Sequence, residues 1–264
     1  IVVVTNNFGT PGKLELNNIN TPIVTGQNGI YTYVPGDSDN TVVNTDSPIQ
    51  AGQFGIWGTI GGDGNLSVTN TNSALTTGQN AIQSRIDGTG TVTISNLDSD
   101  IESGAAGIAG ETNSGAVIIA NENSSIDANF GGIHAQIITD GNINVSNTNG
   151  TIQAGSTGIF SSTFGGGDVI VVNTDSTITA NSGIVSYAIV GGNITTTNTR
   201  SAILARMGTG IEGLIFGGGT IEFTNIDSTI EATTGPGIYA EIAGNGSAVI
   251  ENLNSAIHAH MSGI

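Results

Sequence analysis

The sequence predicts an all-β fold, a right-handed parallel β-helix with three short strands per turn and about ten turns of about 26 residues. Three observations carry that prediction. An asparagine returns ten times, at Asn18, Asn44, Asn70, Asn96, Asn121, Asn147, Asn173, Asn198, Asn225 and Asn252, with no interruption long enough to hold a second domain. Most are preceded by apolar residues two apart, and each is followed by an Ile or Leu and a small residue, as in the stretch Val169–Ile184. Helical periodicity is missing throughout, and Leu, Lys and Glu are few. A unit of this size cannot bury its own apolar face and has to stack on its neighbours, so residues 1–264 read as one elongated domain, a segment of a longer solenoid.

The first strand of each turn is the alternating pair before the asparagine: Leu14/Leu16, Leu66/Val68, Val92/Ile94, Val117/Ile119, Ile143/Val145, Val169/Val171 and Ile221/Phe223. Period-two alternation with β-branched residues is the signature of a half-buried strand. Asn40/Val42, Ile194/Thr196 and Ala248/Ile250 are weaker versions of it. The second strand turns Ile23, Ile49, Leu75, Ile101, Ile126, Ile152, Ile178, Ile203, Ile230 and Ile257 inward. The third opens on Gly-Ile, except at Ala81-Ile82, and leads into Gly-rich corners such as Gly61–Gly64, Gly165–Gly167 and Gly217–Gly219. Residues 1–13 read as a partial turn with Val4 in the column of Ile30. Parallel crossovers are almost always right-handed, which sets the expected hand. At about 4.8 Å per turn, ten turns extend roughly 48 Å.

Stacking also explains the polar columns. Asn173 and its equivalents share parity with the inward valines, so each amide can bond the amides above and below. The Asx residue two positions later can turn the chain by a local side-chain bond. Gly26, Gly52, Gly78, Gly104, Asn129, Gly155 and Asn181, after the small inward residue, are types that tolerate positive φ.

Composition excludes several classes. There is no cysteine, hence no disulfide framework and no thiol or zinc-thiolate chemistry. Asp and Glu number 21 against four basic residues, Lys13, Arg85, Arg200 and Arg206, for a net charge of −17. Nucleic acid and anionic membranes, which need a basic footprint, are poor partners. No apolar run reaches the roughly 18 residues of a spanning helix. The stretch Ile1–Val4 carries neither a basic segment nor a cleavage site, so no signal peptide is expected in it.

The pattern I-x-V-x-N-x-x-S-x-I-x-A-x-x-x-G-I, seen for example at Asn225–Ala232 with Gly237-Ile238, resembles the passenger β-helix of Gram-negative autotransporters and related haemagglutinin-like adhesins. The resemblance covers nearly the whole chain and is more specific to an architecture than to a family. It implies secretion to the bacterial cell surface and adhesion. A host or neighbouring-cell glycan or protein is the expected partner, and neither catalysis nor a cofactor is expected. No segment resembles the anchoring β-barrel of that family, which implies a fragment or a cleaved passenger.

Two constellations are candidates for chemistry. Asp98, Asp100 and Glu102 read as three carboxylates on the outer face of one strand, with Asp127 beside Glu102 one turn on. Four oxygen ligands there could hold Ca²⁺ or serve a polysaccharide-active lyase or hydrolase. A lyase also needs a base and a cationic clamp on the same face, and Arg85 is expected next to Glu111 instead. No metal site is therefore assigned. His134, His258 and His260 do not gather, and no nucleophile elbow or phosphate-binding loop is present. An ice-binding face would need two flat Thr ranks, whereas one interrupted rank, Thr45, Thr71, Thr148, Thr174 and Thr199, is seen.

The second constellation is the outward column after Gly-Ile, which reads Tyr31, Trp57, Gln83, Ala109, His134, Phe160, Val185, Glu212, Tyr239. Its rings, Tyr31, Trp57, His134, Phe160 and Tyr239, could stack on sugars or meet a protein partner. The chain also begins and ends near one phase of the coil, with Val4 and Ile264 expected in one column and no cap on either terminal turn. End-to-end stacking into an extracellular filament is thus an alternative to truncation from a longer solenoid.

Overall fold

The computed structural model describes residues 2–4 and 12–263, and every regular element among them is a β-strand, 28 in all. The chain coils as a β-solenoid in which each strand pairs in parallel with its counterpart one turn away. The second strands, from Ile23–Thr25 to Ala256–Ala259, form one ten-stranded sheet. The first and third strands join into an 18-stranded sheet because Ile82–Leu97 and Ile108–Glu122 pass through their corner without a break. Thr89 and Gly90 pair there with Ser114 and Gly115, so the ladder continues where a Gly-rich corner would otherwise end it.

The core is a column of inward side chains. Ile30, Ile56, Ile82, Ile108, Ile133, Ile159 and Ile184 from the third strands stack over one another, as do Val68, Ile94, Ile119, Val145 and Val171 from the first. Midway along the third strands the inward residue is small: Thr32, Gly58, Ser84, Gly110, Ala135, Ser161, Ser186 and Gly213 occupy one column. The facing first strand reaches across to fill that space. A Cβ on Gly58 would lie 2.9 Å from Leu66 Cδ1, and one on Gly213 2.6 Å from Phe223 Cζ. The weaker first strands obey the same parity, with Asn40 and Thr196 fully buried. At the outer turns Leu14, Ile23, Ile242, Ile250 and Ile257 are only partly buried.

The asparagine ladder is complete. Nine amide-to-amide bonds of 2.7–2.9 Å link Asn18 through Asn252, each Nδ2 donating to the Oδ1 one turn on. A second ladder runs beside it. The backbone N–H groups of Thr21, Ser47, Ser73 and Ser99 each donate to the serine hydroxyl one turn on, and that hydroxyl donates in turn to the carbonyl two residues back. Gly150 interrupts this series and Ser176 resumes it.

Two expectations about the corners need correction. Among the described non-glycine residues, positive φ belongs to the Asx column alone: Asn20, Asp46, Asn72, Asp98, Asn123, Asn149, Asp175, Arg200, Asp227 and Asn254 lie at φ 47–51°. Short polar side chains are the ones that bear this conformation, so the Asx residue turns the chain with its own backbone. The column of Gly26, Gly52, Gly78, Gly104, Asn129, Gly155 and Asn181 lies outside that set. At several of its glycines the turns approach closely, and a Cβ on Gly52, Gly78, Gly104 or Gly155 would collide with the carbonyl one turn before. At the start of the chain, Val2 pairs with Tyr31 and Val4 with Tyr33, so Val4 does not share the column of Ile30. A uniform run of valine offers no alternation to set its register. Ile264 and the corner at 5–11 lie outside the described residues, and so does the expected match of the two ends.

Arg200 is the only residue other than Asn or Asp in that positive-φ column. It holds Asp175 with two bonds, Nε to Oδ1 at 2.6 Å and Nη2 to Oδ2 at 2.7 Å. The guanidinium bond keeps the Asp175 carboxyl below its ordinary pKa, so this contribution to stability is present above the carboxylate range and lost as pH falls through it. Arg200→Asn and Arg200→Asp both relieve the backbone, but the second places a new carboxylate between Asp175 and Asp227, three in consecutive turns. Arg200→Asp is expected to melt at a lower temperature than Arg200→Asn at low ionic strength, with the gap closing in high salt. Equal melting temperatures at low salt would show that stacked charge has no effect here.

Candidate functional site

The third-strand face carries two outward ranks, one from the residue after each inward isoleucine and one from the residue two further on. In the first rank the pairing runs Tyr31–Trp57–Gln83–Ala109–His134–Phe160–Val185–Glu212–Tyr239, one residue per turn. Strand geometry fixes these positions. Side chains alternate across the pleat, and parallel pairing in register lifts each by one strand spacing.

This brings the candidate rings together in two groups and leaves one apart. Tyr31 and Trp57 lie with centroids 4.8 Å apart, and Phe54 also packs on Trp57, at 4.7 Å. Three turns beyond Trp57, His134 stacks on Phe160 at 4.9 Å with planes 28° apart, and Tyr187 meets Phe160 edge-on at 5.6 Å. Tyr239 stands away from both, separated from Phe160 by Val185 and Glu212, and its hydroxyl donates to Glu241 at 2.6 Å. Phe54, Phe130 and Tyr187 are site residues that the outward column does not reveal. The first two come just ahead of the glycine that opens the third strand, and Tyr187 belongs to the second rank.

Between the turns of Phe130 and Phe160 the face opens into a groove of about 290 Å³. The rings of Phe130, His134 and Phe160 wall it, and Ala106, Gly131, Ile133, Ser156 and Thr157 complete the lining. Phe130 is 65% exposed, an unusual setting for a phenylalanine. Burial pushes the His134 imidazole below its ordinary pKa, against the opposing pull of Glu111 and a bond with Gln136. A protonated His134 is thus favoured in the unfolded chain. Its contribution to stability is complete above about pH 6.5 and declines as pH falls below that value toward the folded pKa. His134→Gln is expected to flatten the pH dependence of the melting temperature just below pH 6.5. An unchanged slope would place the acid sensitivity elsewhere.

The carboxylate candidates disperse. Glu102 and Asp127 are register neighbours, as expected, and line a shallow hollow of about 170 Å³ with Thr76 and Asn129. The strand there is only Ile101–Ser103, however, so Asp98 and Asp100 precede it instead of sharing its face. Asp98 occupies the positive-φ corner, and Asp100 accepts from Ser125 through both N–H (3.0 Å) and hydroxyl (2.6 Å). Among the described residues no three His, Asp or Glu side chains converge as metal ligands.

Other outward carboxylates serve the stack in the manner of Asp100. Asp37, Asp63, Asp140 and Asp168 each accept a backbone N–H one turn further along. Arg85 is held by Asp87 at 2.7 Å and approaches Glu111 at 3.9 Å. His258 lies beside Glu231. The Thr rank is broken between Thr71 and Thr148 by Leu97 and Glu122.

Comparison of the chain with family models, with curated proteins and with solved structures finds no match. Among the described residues no helix is long and apolar enough to cross a membrane.

Proposed function

We propose that this β-solenoid is a non-enzymatic, extracellular adhesive protein of the bacterial cell surface, of autotransporter-passenger type, which binds glycans along its third-strand face. The observation that carries this reading is the in-register rank of rings on that face, with the ring-walled groove at Phe130, His134 and Phe160. Flat apolar rings with polar edges suit the C–H faces of sugars, and Gln83, Gln136 and Ser156 supply hydrogen-bonding groups beside them. A rigid sheet holds these groups without an ordering cost on binding. Glycan-array binding of the whole chain tests the reading. Signal is expected for a subset of glycans, reduced by Trp57→Ala or Phe160→Ala at unchanged melting temperature. Signal that survives both substitutions would remove this face as the binding surface, and a protein partner competing at it would change the ligand class.

A polysaccharide-active enzyme is the second reading, favoured by the side-by-side Glu102 and Asp127. Calcium titration followed by lyase and hydrolase assays on acidic polysaccharides separates the two. No calcium effect and no turnover would end it.

A further inference from the structure

Resting on the glycan reading, we propose that the groove at Phe130, His134 and Phe160 takes sugars bearing free, protonated amino groups. The occupant follows from charge. The two outward ranks of the third-strand face hold three carboxylates, Glu111, Glu212 and Glu241, against the single guanidinium of Arg85. That guanidinium is already engaged by Asp87 and approaches Glu111. Glu212 and Glu241 hold only tyrosine hydroxyls, those of Tyr187 and Tyr239. Tyr187 meets Phe160 edge-on and donates to Glu212, which ties that carboxylate to the wall of the groove, and the charge of Glu111 acts on His134. Lys13 and Arg200 are paired with Glu15 and Asp175, Arg206 follows the second strand two turns beyond Gly155, and no lysine or arginine lines the groove.

An anionic sugar would enter this negative field against repulsion, with no lysine or arginine in the groove lining to meet it. A neutral sugar would gain ring stacking and hydrogen bonds without any charge attraction. A protonated amine gains both the attraction of the flanking carboxylates and that of the ring faces, where desolvation strengthens a cation–π contact. His134 does not oppose it, because burial favours the uncharged imidazole.

The test uses the whole chain and three oligosaccharides of equal length, of glucosamine, N-acetylglucosamine and galacturonate, titrated calorimetrically at mildly acidic pH and low salt. The glucosamine oligomer is expected to bind at least about tenfold more tightly than the N-acetylated one. Added salt should close the gap. Phe130→Ala, at an exposed wall, should weaken both ligands with the melting temperature unchanged, whereas Glu212→Gln should weaken the glucosamine oligomer selectively. Equal or tighter binding of the N-acetylated oligomer, or preference for the galacturonate, would overturn the amine assignment and leave the glycan reading standing. Binding of the glucosamine oligomer that ignores both substitutions would also overturn the assignment to this groove. Failure of all three oligomers to bind, with array signal retained for other glycans, would end the amine proposal alone. Failure together with a silent array would end both.

Discussion

Asn96→Ala is expected to destabilise the protein by about 3–6 kcal/mol, far more than an average surface substitution. Asn96 is fully buried and makes three bonds. Its amide donates to Asn121 Oδ1 at 2.9 Å and to the Ser99 carbonyl at 2.8 Å, and its Oδ1 accepts from Asn70 at 2.9 Å. Alanine would orphan one N–H of Asn70, the Asn121 oxygen and the Ser99 carbonyl, each in a site closed to water. At about 1–3 kcal/mol for every orphaned buried group, the loss reaches the stated range. A solenoid is held by nearest-neighbour interfaces, so the break should also divide unfolding into two steps, one for the turns on each side. Asn144→Ala, at an exposed outward position in the first-strand sheet, is the control and should stay within about 0.5 kcal/mol. Chemical denaturation followed by circular dichroism reads both. A single transition with the control's midpoint would mean that the ladder adds register without stability.

Phe223→Ala is expected to cost about 3–5 kcal/mol, the range for emptying a buried aromatic site. Phe223 is 1% exposed and is the bulkiest fully buried side chain among the described residues. It fills the space left by Gly213, whose own Cβ would stand 2.6 Å from the ring. Gly213→Ala alone should therefore also destabilise, by about 1–3 kcal/mol through overpacking. The double substitution Gly213→Ala with Phe223→Val recreates a pair that the protein already holds in other turns. Ala135 occupies the Gly213 column and Val145 the Phe223 column. The double variant should be more stable than the two single losses added together, by roughly 0.5–3 kcal/mol of coupling. Simple additivity would show that the two positions do not share one space.

The candidate site is partly legible in the repeat. The outward rank from Tyr31 to Tyr239 follows from repeat spacing alone, because parallel in-register strands turn a sequence period into a spatial column. The groove is not legible in the same way. Phe54 and Phe130 sit in corners between strands, where alternation gives no rule for side-chain direction, and only the path of the corner shows that Phe130 helps wall the groove. Asp98 and Asp100 show the converse error. Sharing the parity of Glu102 suggests a shared face, but a strand of three residues does not extend back to them.

Repetition in the chain is enough to set the architecture, the period, the inward columns and the asparagine ladder. Each of these recurs in every turn, and ten weak local signals that agree leave one stack that buries the isoleucines and pairs the amides. What the repeated positions do at the corners is settled by packing between turns. The Asx column carries positive φ, whereas Gly52, Gly78, Gly104 and Gly155 do not and instead sit where a Cβ would meet the preceding carbonyl, although Gly and Asn both tolerate positive φ. Packing also determines that most outward carboxylates near the corners accept backbone N–H groups from the next turn, and that His134 and Phe160 meet while Tyr239 stands apart. Those outcomes depend on a few ångströms of approach between neighbouring turns, a distance that no residue type specifies until the coil has closed.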